Sequence, residues 1–309
     1  MTDTPNSAIG FIGLGNMGLP MARNLQRAGF TPVAFDIAPE RIAALEETGP
    51  VVRARTLAEV VASSRIVFTI LPSEAIVRQS YLGEGGLLAS ASPGSLLVDL
   101  STVSADTARE ISRHAASLKL QMMDAPVSGG VAGATAGELT FMVGNDGSVA
   151  ERLEAPLRAM GRKIVYCGGP GKGQVVKICN NLLVGISMIA TAEALALGVR
   201  QGVAPELLTE VIAASTGSNW CVTVQNPYPG VIPQAPSSHG YAGGAAHEIL
   251  LKDVGLAVDA AAKLHMPMFL GGLSKQIYEL AIAQGLAGLD FSSVVRLYDD
   301  PAPTAVSGV

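Results

Sequence analysis

Residue types that identify several classes of protein are scarce in this chain of 309 residues. It has three cysteines, which form no CxxC pair and have no histidine at a zinc-binding spacing: Cys167, Cys179 and Cys221. We therefore expect reduced thiols in a cytoplasmic protein, and no metal site. The four histidines match neither the HExxH motif nor a catalytic triad, so we expect structural or solvent-facing roles for them.

Cationic side chains are too few to indicate a nucleic-acid partner. Lys and Arg number 21 against 26 Asp and Glu, whereas a nucleic-acid-binding surface needs a basic face or stripe. Residues 1–7 are polar and contain no basic segment followed by an apolar one, so we expect no signal peptide.

Residues 181–199 are apolar over most of the length that crosses a membrane. Glu193 would be costly in lipid, and neither aromatic anchors nor a charge asymmetry flank this run. We expect instead a helix buried on nearly all sides, with no membrane partner. Such a helix needs neighbours around it, which predicts a helical domain and a homodimer or homotetramer.

The chain does contain enough apolar sequence for two domains, since 49% of its residues are hydrophobic. Strand and helix patterns alternate up to about residue 168, and mainly helical patterns follow. This predicts a Rossmann-type α/β domain over residues 1–168, with a doubly wound and mainly parallel sheet. An all-α domain, begun by a long interdomain helix, is predicted for residues 169–309.

A glycine-rich turn follows the first predicted strand, residues 8–12. In a dinucleotide-binding turn the three glycines allow, in order, the tight turn, the approach of the pyrophosphate and the packing of helix on strand. The predicted cofactor-binding residues of this turn are Gly13, Leu14, Gly15, Asn16, Met17 and Gly18. Asp36 ends the second predicted strand, where a carboxylate can bind a ribose 2′-hydroxyl and repel a 2′-phosphate, so we predict NAD. The alternative is a glycine turn in an ordinary α/β protein, with an incidental aspartate.

Three further loops follow predicted strands, at the sheet edge where ligands bind in such folds. The first contains Leu71 and Pro72, and the second contains Thr102, which either contacts the cofactor or only begins the next helix. In the third, consecutive backbone N–H groups can form a nest for a carboxylate at Ser128, Gly129 and Gly130. The alternative for this third loop is flexibility alone. Residues 139–143 and 163–166 are predicted as closing strands.

The long helix is predicted from Val175 to about Arg200. Lys177 and Asn181 are four residues apart and therefore share one helix face. Either they project into a cleft as functional groups, or Lys177 only solvates a helix end. Further helices are predicted from Pro205 and over residues 245–263 and 272–284. The irregular residues 215–241 are expected to form a pocket wall or to be disordered.

These motifs resemble the β-hydroxyacid dehydrogenase family, which is similar to 6-phosphogluconate dehydrogenase. The resemblance covers nearly the whole chain through residues 10–18, 124–130, 171–181 and 252–253. It implies that Lys177 is catalytic, that Asn181 and the loop 128–130 bind substrate, and that Leu71, Pro72, Thr102 and Lys252 contact NAD. One departure is Ile76, where related enzymes often have asparagine near the cofactor.

The implied reaction is the reversible oxidation of a hydroxyl β to a carboxylate, giving a semialdehyde. Residues 220–230 resemble, less specifically, the members of the family that act in valine degradation. This resemblance implies 3-hydroxyisobutyrate as the substrate. Lys177 would exchange the hydroxyl proton, and burial would lower its pKa from about 10.4 toward the range of a general base. The alternatives are a related dehydrogenase or semialdehyde reductase (3-hydroxypropionate, tartronate semialdehyde, serine), an imine reductase, and a non-enzymatic NAD sensor.

Overall fold

The computed structural model describes residues 8–298. The predicted absence of a signal peptide concerns residues 1–7, which lie outside the described residues. The described chain divides into two compact units, the first ending at Lys177 and the second beginning at Ile178. The boundary predicted at residue 168 stays a prediction.

The first unit contains a six-stranded parallel sheet in the order β3-β2-β1-β4-β5-β6. Its strands are β1 (Ala8–Ile12), β2 (Thr31–Phe35), β3 (Val52–Arg53), β4 (Ile66–Thr69), β5 (Leu96–Asp99) and β6 (Gln121–Asp124). The chain order reverses between β1 and β4, as it does in doubly wound folds. The predicted Rossmann-type sheet is confirmed.

Helices accompany the strands along the first unit. They are α1 (Gly18–Arg27), α2 (Pro39–Glu46), α3 (Leu57–Ser63), α4 (Glu74–Leu82), α5 (Leu87–Ser90), α6 (Ala105–Ser117), α7 (Gly130–Ala136) and α8 (Ala150–Met160). Neighbouring side chains of β1 belong to two separate hydrophobic cores: Phe11 packs in one core, and Ile12 packs in the other. Because alternate strand residues point to opposite faces, the sheet is buried on both sides.

The predicted closing strands do not extend the parallel sheet. Together with β7 (Val127–Ser128), which was not predicted, they form a second, three-stranded sheet as β8 (Leu139–Val143) and β9 (Gly161–Tyr166). The pair β7 and β8 is antiparallel, and β8 and β9 are parallel.

The long helix α9 (Lys172–Arg200) begins in the first unit, one turn earlier than predicted, and continues as the first element of the second. The second unit also contains α10 (Pro205–Ala213), α11 (Trp220–Thr223), α12 (His247–Lys263) and α13 (Phe269–Ala281). A π-helical segment (Ile282–Leu286) and two 3₁₀ segments (Pro236–His239, Phe291–Tyr298) complete it. The predicted helical domain begun by a long helix is confirmed.

The core of the second unit forms around the middle of α9. Met188 and Ala192 of this helix pack with Val254 of α12 and Tyr278 of α13. Tyr278 donates a hydrogen bond to the carbonyl of Gly185 at 2.8 Å. By length and composition, α9 is the one helix of the described residues that could cross a membrane. Within the membrane-length window of this helix, 39% of the residues are buried, and Leu183 and Leu197 are 65% and 64% exposed. The prediction of a helix buried on nearly all sides is therefore wrong for the single chain, because α9 packs in the core with only part of its surface.

Candidate active site

The predicted dinucleotide turn lies between β1 and α1, and its three glycines meet three different environments. Gly13 has φ 92, and a Cβ there would overlap the carbonyl oxygen of Ile70. A Cβ on Gly18 would overlap the carbonyl oxygen of Gly13. A Cβ on Gly15 would meet nothing within 4 Å, so the fold itself leaves this position open. This arrangement fits a pyrophosphate approaching the backbone at Gly15.

Asp36 stands beside this turn at the end of β2. Its Oδ2 accepts a hydrogen bond from Leu14 N at 2.6 Å, and its Oδ1 accepts one from Ala38 N at 2.8 Å. The carboxylate is therefore held at the glycine turn, where its further lone pairs are available to ribose hydroxyls. This is the position that the NAD prediction requires.

The loops after β4 and β5 are joined at the same edge of the sheet. Leu71 N donates to Ser101 Oγ at 2.8 Å, and Ser101 precedes the predicted cofactor residue Thr102. Ser101 Oγ in turn donates to Asp99 Oδ1 at 2.6 Å. Burial raises the pKa of Asp99 to about 6, against the lowering effect of its hydrogen bonds. Pro72 is exposed in the first of these loops.

The loop after β6 carries two features with different roles. Asp124 is buried, with 1% of its surface exposed, and accepts hydrogen bonds from Gly171 N at 2.7 Å and Gln174 N at 2.9 Å. It thus binds N–H groups at the start of α9 that have no partner within the helix. The sequence motif contained this aspartate, but its role as a helix cap became evident only from the fold.

Ser128, Gly129 and Gly130 come together where β7 passes into α7. Ser128 is half-buried, and the two glycines are exposed. Gly129 and Gly130 have φ values of 138 and 61, a conformation that side chains rarely adopt. Their N–H groups therefore belong to a backbone that only glycine supports well, as the carboxylate nest hypothesis requires.

Lys177 lies in the second turn of α9 and is buried, with 8% of its surface exposed. The interpretation of this lysine as a group that merely solvates a helix end is therefore wrong. A buried lysine is unusual in proteins and needs a functional or structural partner. The following turn of the same helix carries Asn181.

Asn181 and Lys252 occur together in the second unit because both adjoin Asp253. Asn181 Nδ2 donates to Asp253 Oδ2 at 2.5 Å, and Asn181 Oδ1 accepts from Asn180 Nδ2 at 3.0 Å. Lys252 Nζ lies 3.3 Å from Asp253 Oδ1, which is an ion pair rather than a hydrogen bond. The buried Asp253 thus fixes the orientation of the Asn181 amide. This role was missed in the sequence, although Asp253 follows Lys252 directly.

Two other predicted features can be placed. Ile76 is exposed in the first turn of α4, and its N–H group is bound by Ser73 Oγ at 3.3 Å. The irregular residues 215–241 contain α11 and a 3₁₀ segment, and they hold the buried Asn226, whose amide donates to Thr209 Oγ1 at 3.0 Å. The same amide donates to the carbonyl of Val222 at 3.0 Å, so Asn226 connects this run both to itself and to α10, which carries Thr209.

One histidine, His247, has a structural environment. His247 is buried, its Nε2 lies 2.8 Å from Ser293 Oγ, and burial lowers its pKa to about 4. Within residues 8–298, no three His, Cys, Asp or Glu side chains lie together as metal ligands would. The cysteines of this part of the chain are free thiols.

Two family models match the chain. One, described as the NAD binding domain of 6-phosphogluconate dehydrogenase, matches residues 8–169. The other, described as NAD-binding of NADP-dependent 3-hydroxyisobutyrate dehydrogenase, matches residues 171–298. A 3-hydroxyisobutyrate dehydrogenase of Pseudomonas aeruginosa is 46% identical over 94% of this chain and 98% of its own length. The chain belongs to the 3-hydroxyisobutyrate dehydrogenase family.

Other relatives in and around the 3-hydroxyisobutyrate dehydrogenase family differ in the substrate that their names give. An NAD-dependent L-serine dehydrogenase of P. aeruginosa is 44% identical over 94% of this chain and 97% of its own length. A structure of a 3-hydroxyisobutyrate dehydrogenase from Mycobacterium tuberculosis with L-serine superposes with a TM-score of 0.86. It is 40% identical and covers 94% of this chain and 99% of that one. The chain is thus an NAD-binding β-hydroxyacid dehydrogenase, and the predicted family and cofactor are confirmed.

Proposed function

We propose that this enzyme oxidises 3-hydroxyisobutyrate reversibly to methylmalonate semialdehyde, as in valine degradation. The observation that carries the proposal is the buried Lys177 on a helix anchored to the loops that end β5 and β6. The similarity to 3-hydroxyisobutyrate dehydrogenases over nearly the full chain supports the same substrate.

In the proposed reaction the backbone amides at Ser128, Gly129 and Gly130 hold the substrate carboxylate, and Asn181 contacts the substrate as well. Bound NAD would supply the acceptor for the hydride that leaves the hydroxymethyl carbon. Lys177 accepts the hydroxyl proton as the carbonyl forms, and it returns this proton in the direction of reduction. The glycine turn of residues 13–18, Asp36, Leu71, Pro72, Thr102 and Lys252 are the proposed cofactor contacts.

L-Serine is the second candidate substrate, favoured by the relative and the structure that name it. Both candidates have a carboxylate and a β-hydroxyl. They differ at the carbon between these groups, which carries a methyl group in 3-hydroxyisobutyrate and an ammonium group in serine. 3-Hydroxypropionate has neither substituent, so it provides the reference for both.

The deciding experiment is a comparison of kcat/KM for these three compounds, measured by NADH absorbance. A pocket built for the methyl group should favour 3-hydroxyisobutyrate over 3-hydroxypropionate by about 10- to 200-fold. A higher kcat/KM for L-serine than for both others would replace 3-hydroxyisobutyrate with serine as the substrate. The protein would instead be a non-enzymatic NAD sensor if it bound NADH but turned over no β-hydroxy acid, no tartronate semialdehyde and no imine.

Substitution of Lys177 tests its role, and the exposed Lys172 on the same helix provides a matched control. Lys177→Ala should lower kcat by about 10²- to 10⁴-fold, while NADH binding, followed by fluorescence, changes little. Lys177→Arg should stay inactive because a guanidinium remains protonated and has a different shape. Lys172→Ala should keep the wild-type kcat. Near-wild-type turnover in Lys177→Ala would remove this lysine from the mechanism.

We also propose a homodimer or homotetramer in the cytoplasm. The second unit exposes large apolar side chains, of which Phe269 (85% exposed), Leu273 and Leu280 lie along one face of α13. Residues spaced by four and by seven share a helix face, so they form a continuous apolar stripe. A stripe of this kind is typical of a surface that a second subunit covers.

A further inference from the structure

Gln174 is a buried polar residue to which the proposed reaction assigns no role. It lies in the first turn of α9, three residues before Lys177, and none of its surface is exposed. Its Nε2 donates to the carbonyl of Ser101 at 2.8 Å, and its Oε1 accepts from Val103 N at 3.1 Å. These two partners flank Thr102, so one side chain binds the backbone on both sides of a proposed cofactor contact.

The first turn of α9 is held from a second direction by Asp124. Its two carboxylate oxygens bind Gly171 N and Gln174 N, as described above. Glycines surround this carboxylate, because a Cβ on Gly144 or Gly173 would overlap it. The main chain of Gln174 is thus tied to the end of β6, and its side chain is tied to the loop after β5.

The contact at Ser101 extends the connection to a third loop. Ser101 binds Leu71 N through its hydroxyl and Gln174 Nε2 through its carbonyl. A continuous set of hydrogen bonds therefore runs from the loop after β4 to the helix that carries Lys177. Residues three apart lie on one side of a helix, so the anchored Gln174 and Lys177 share a side of α9.

We propose that Gln174 is a positioning residue, which sets the place of Lys177 relative to the backbone at Thr102. The inference rests on the proposed function of Lys177. Misplacing a reacting group by about 1 Å can cost about 10²-fold in rate, whereas a nearby side chain without this role affects stability alone.

The test compares Gln174→Met with Gln26→Met. Gln26 is also a buried glutamine of the first unit: its Nε2 donates to the carbonyls of Leu45 at 3.2 Å and Pro50 at 3.1 Å, and its Oε1 accepts from Thr48 Oγ1 at 2.8 Å. Methionine has nearly the length of glutamine but cannot form these hydrogen bonds, so Gln26→Met loses three of them and Gln174→Met loses two. Gln26 lies at the end of α1, away from the proposed site residues in the chain.

We expect Gln174→Met to lower kcat by about 10-fold or more, with KM changed by less than about threefold. The deuterium isotope effect on kcat, with substrate deuterated at the hydroxymethyl carbon, should equal or exceed the wild-type value because hydride transfer has become slower. Gln26→Met should keep both the wild-type kcat and the wild-type isotope effect while losing at least as much thermal stability as Gln174→Met.

Three results would overturn the inference: an unchanged kcat in Gln174→Met, an equal loss of kcat in both variants, or an isotope effect that falls toward unity. If Gln174→Met does not fold, Gln174→Asn retains the amide but is one methylene shorter, and the same criteria apply to it. The proposed function fails separately, through an active Lys177→Ala enzyme or a wild type without turnover.

Discussion

The buried Asp99 makes a specific prediction for stability against pH. This carboxyl ends β5 with 1% of its surface exposed, and its Oδ1 accepts hydrogen bonds from Thr69 Oγ1 at 2.9 Å and Ser101 Oγ at 2.6 Å. Burial, and to a lesser extent the charge of Asp124, raise its pKa from 3.8 to about 6. The folded protein therefore holds this proton more tightly than the unfolded chain does.

The direction and size of the change in stability with pH follow from this difference in pKa. Between about pH 4 and pH 6 the folded state binds more protons than the unfolded state, so stability falls as pH rises through this window. The loss is complete about one pH unit above the folded-state pKa, and a change from 3.8 to about 6 corresponds to about 3 kcal/mol. Asp99→Asn removes the titration, and the asparagine oxygen can keep the hydrogen bonds of Oδ1.

The assay is urea unfolding of both proteins between pH 4 and pH 8, followed by far-UV circular dichroism. Trp220 lies in the second unit, so its fluorescence is unsuited to report on Asp99. We expect the stability of Asp99→Asn relative to wild type to rise by up to about 3 kcal/mol from the acidic to the neutral end. Asp259→Asn, at an exposed position of α12, controls for the change of net charge. A difference that is flat across this range, or that falls with rising pH, would refute the argument.

Other predictions test the remaining features. Asp36→Ala should narrow the preference for NAD over NADP, measured as the ratio of kcat/KM values; a wild-type preference for NADP would show the assignment to be wrong. Phe269→Glu should yield a smaller species in light scattering with an unchanged circular dichroism spectrum, and a monomeric wild type would contradict the proposed oligomer. Gly173→Ala should lower stability by about 1–3 kcal/mol in thermal unfolding, because its Cβ would overlap the carbonyl oxygen of Met142 and also crowd Asp124; an unchanged Tm would contradict this. Asp253→Ala should raise the substrate KM by about 10-fold by freeing the Asn181 amide, and an unchanged KM would show that this amide needs no support.

Features of the site that depend on local conformation could be predicted from the sequence. The glycines at 13, 15 and 18 are recognisable by their spacing; a Cβ would overlap backbone at Gly13 and Gly18, whereas Gly15 leaves open space beside the turn. Asp36, Leu71 and Thr102 were placed at one sheet edge because parallel strands direct their carboxyl ends the same way. The order of strands and helices then followed from the alternating pattern.

Features that depend on distant partners could not be predicted in this way. Helix α9 begins at Lys172 rather than Val175 because Asp124, about 50 residues earlier, binds its first N–H groups. The partners of Gln174 are equally remote in sequence. The pattern of β8 and β9 identified strands but carried no information on which sheet they join.

The cap that Asp124 provides also makes two amide protons useful as reporters. An isolated helix leaves the N–H groups of its first turn without internal partners, so in a free helix the N–H of Gln174 would exchange rapidly with solvent. In this fold the N–H groups of Gly171 and Gln174 are bound by a carboxylate that reaches them only when β6 is in place. Their hydrogen exchange therefore measures how often the start of α9 detaches from the sheet, independently of how stable the rest of the helix is.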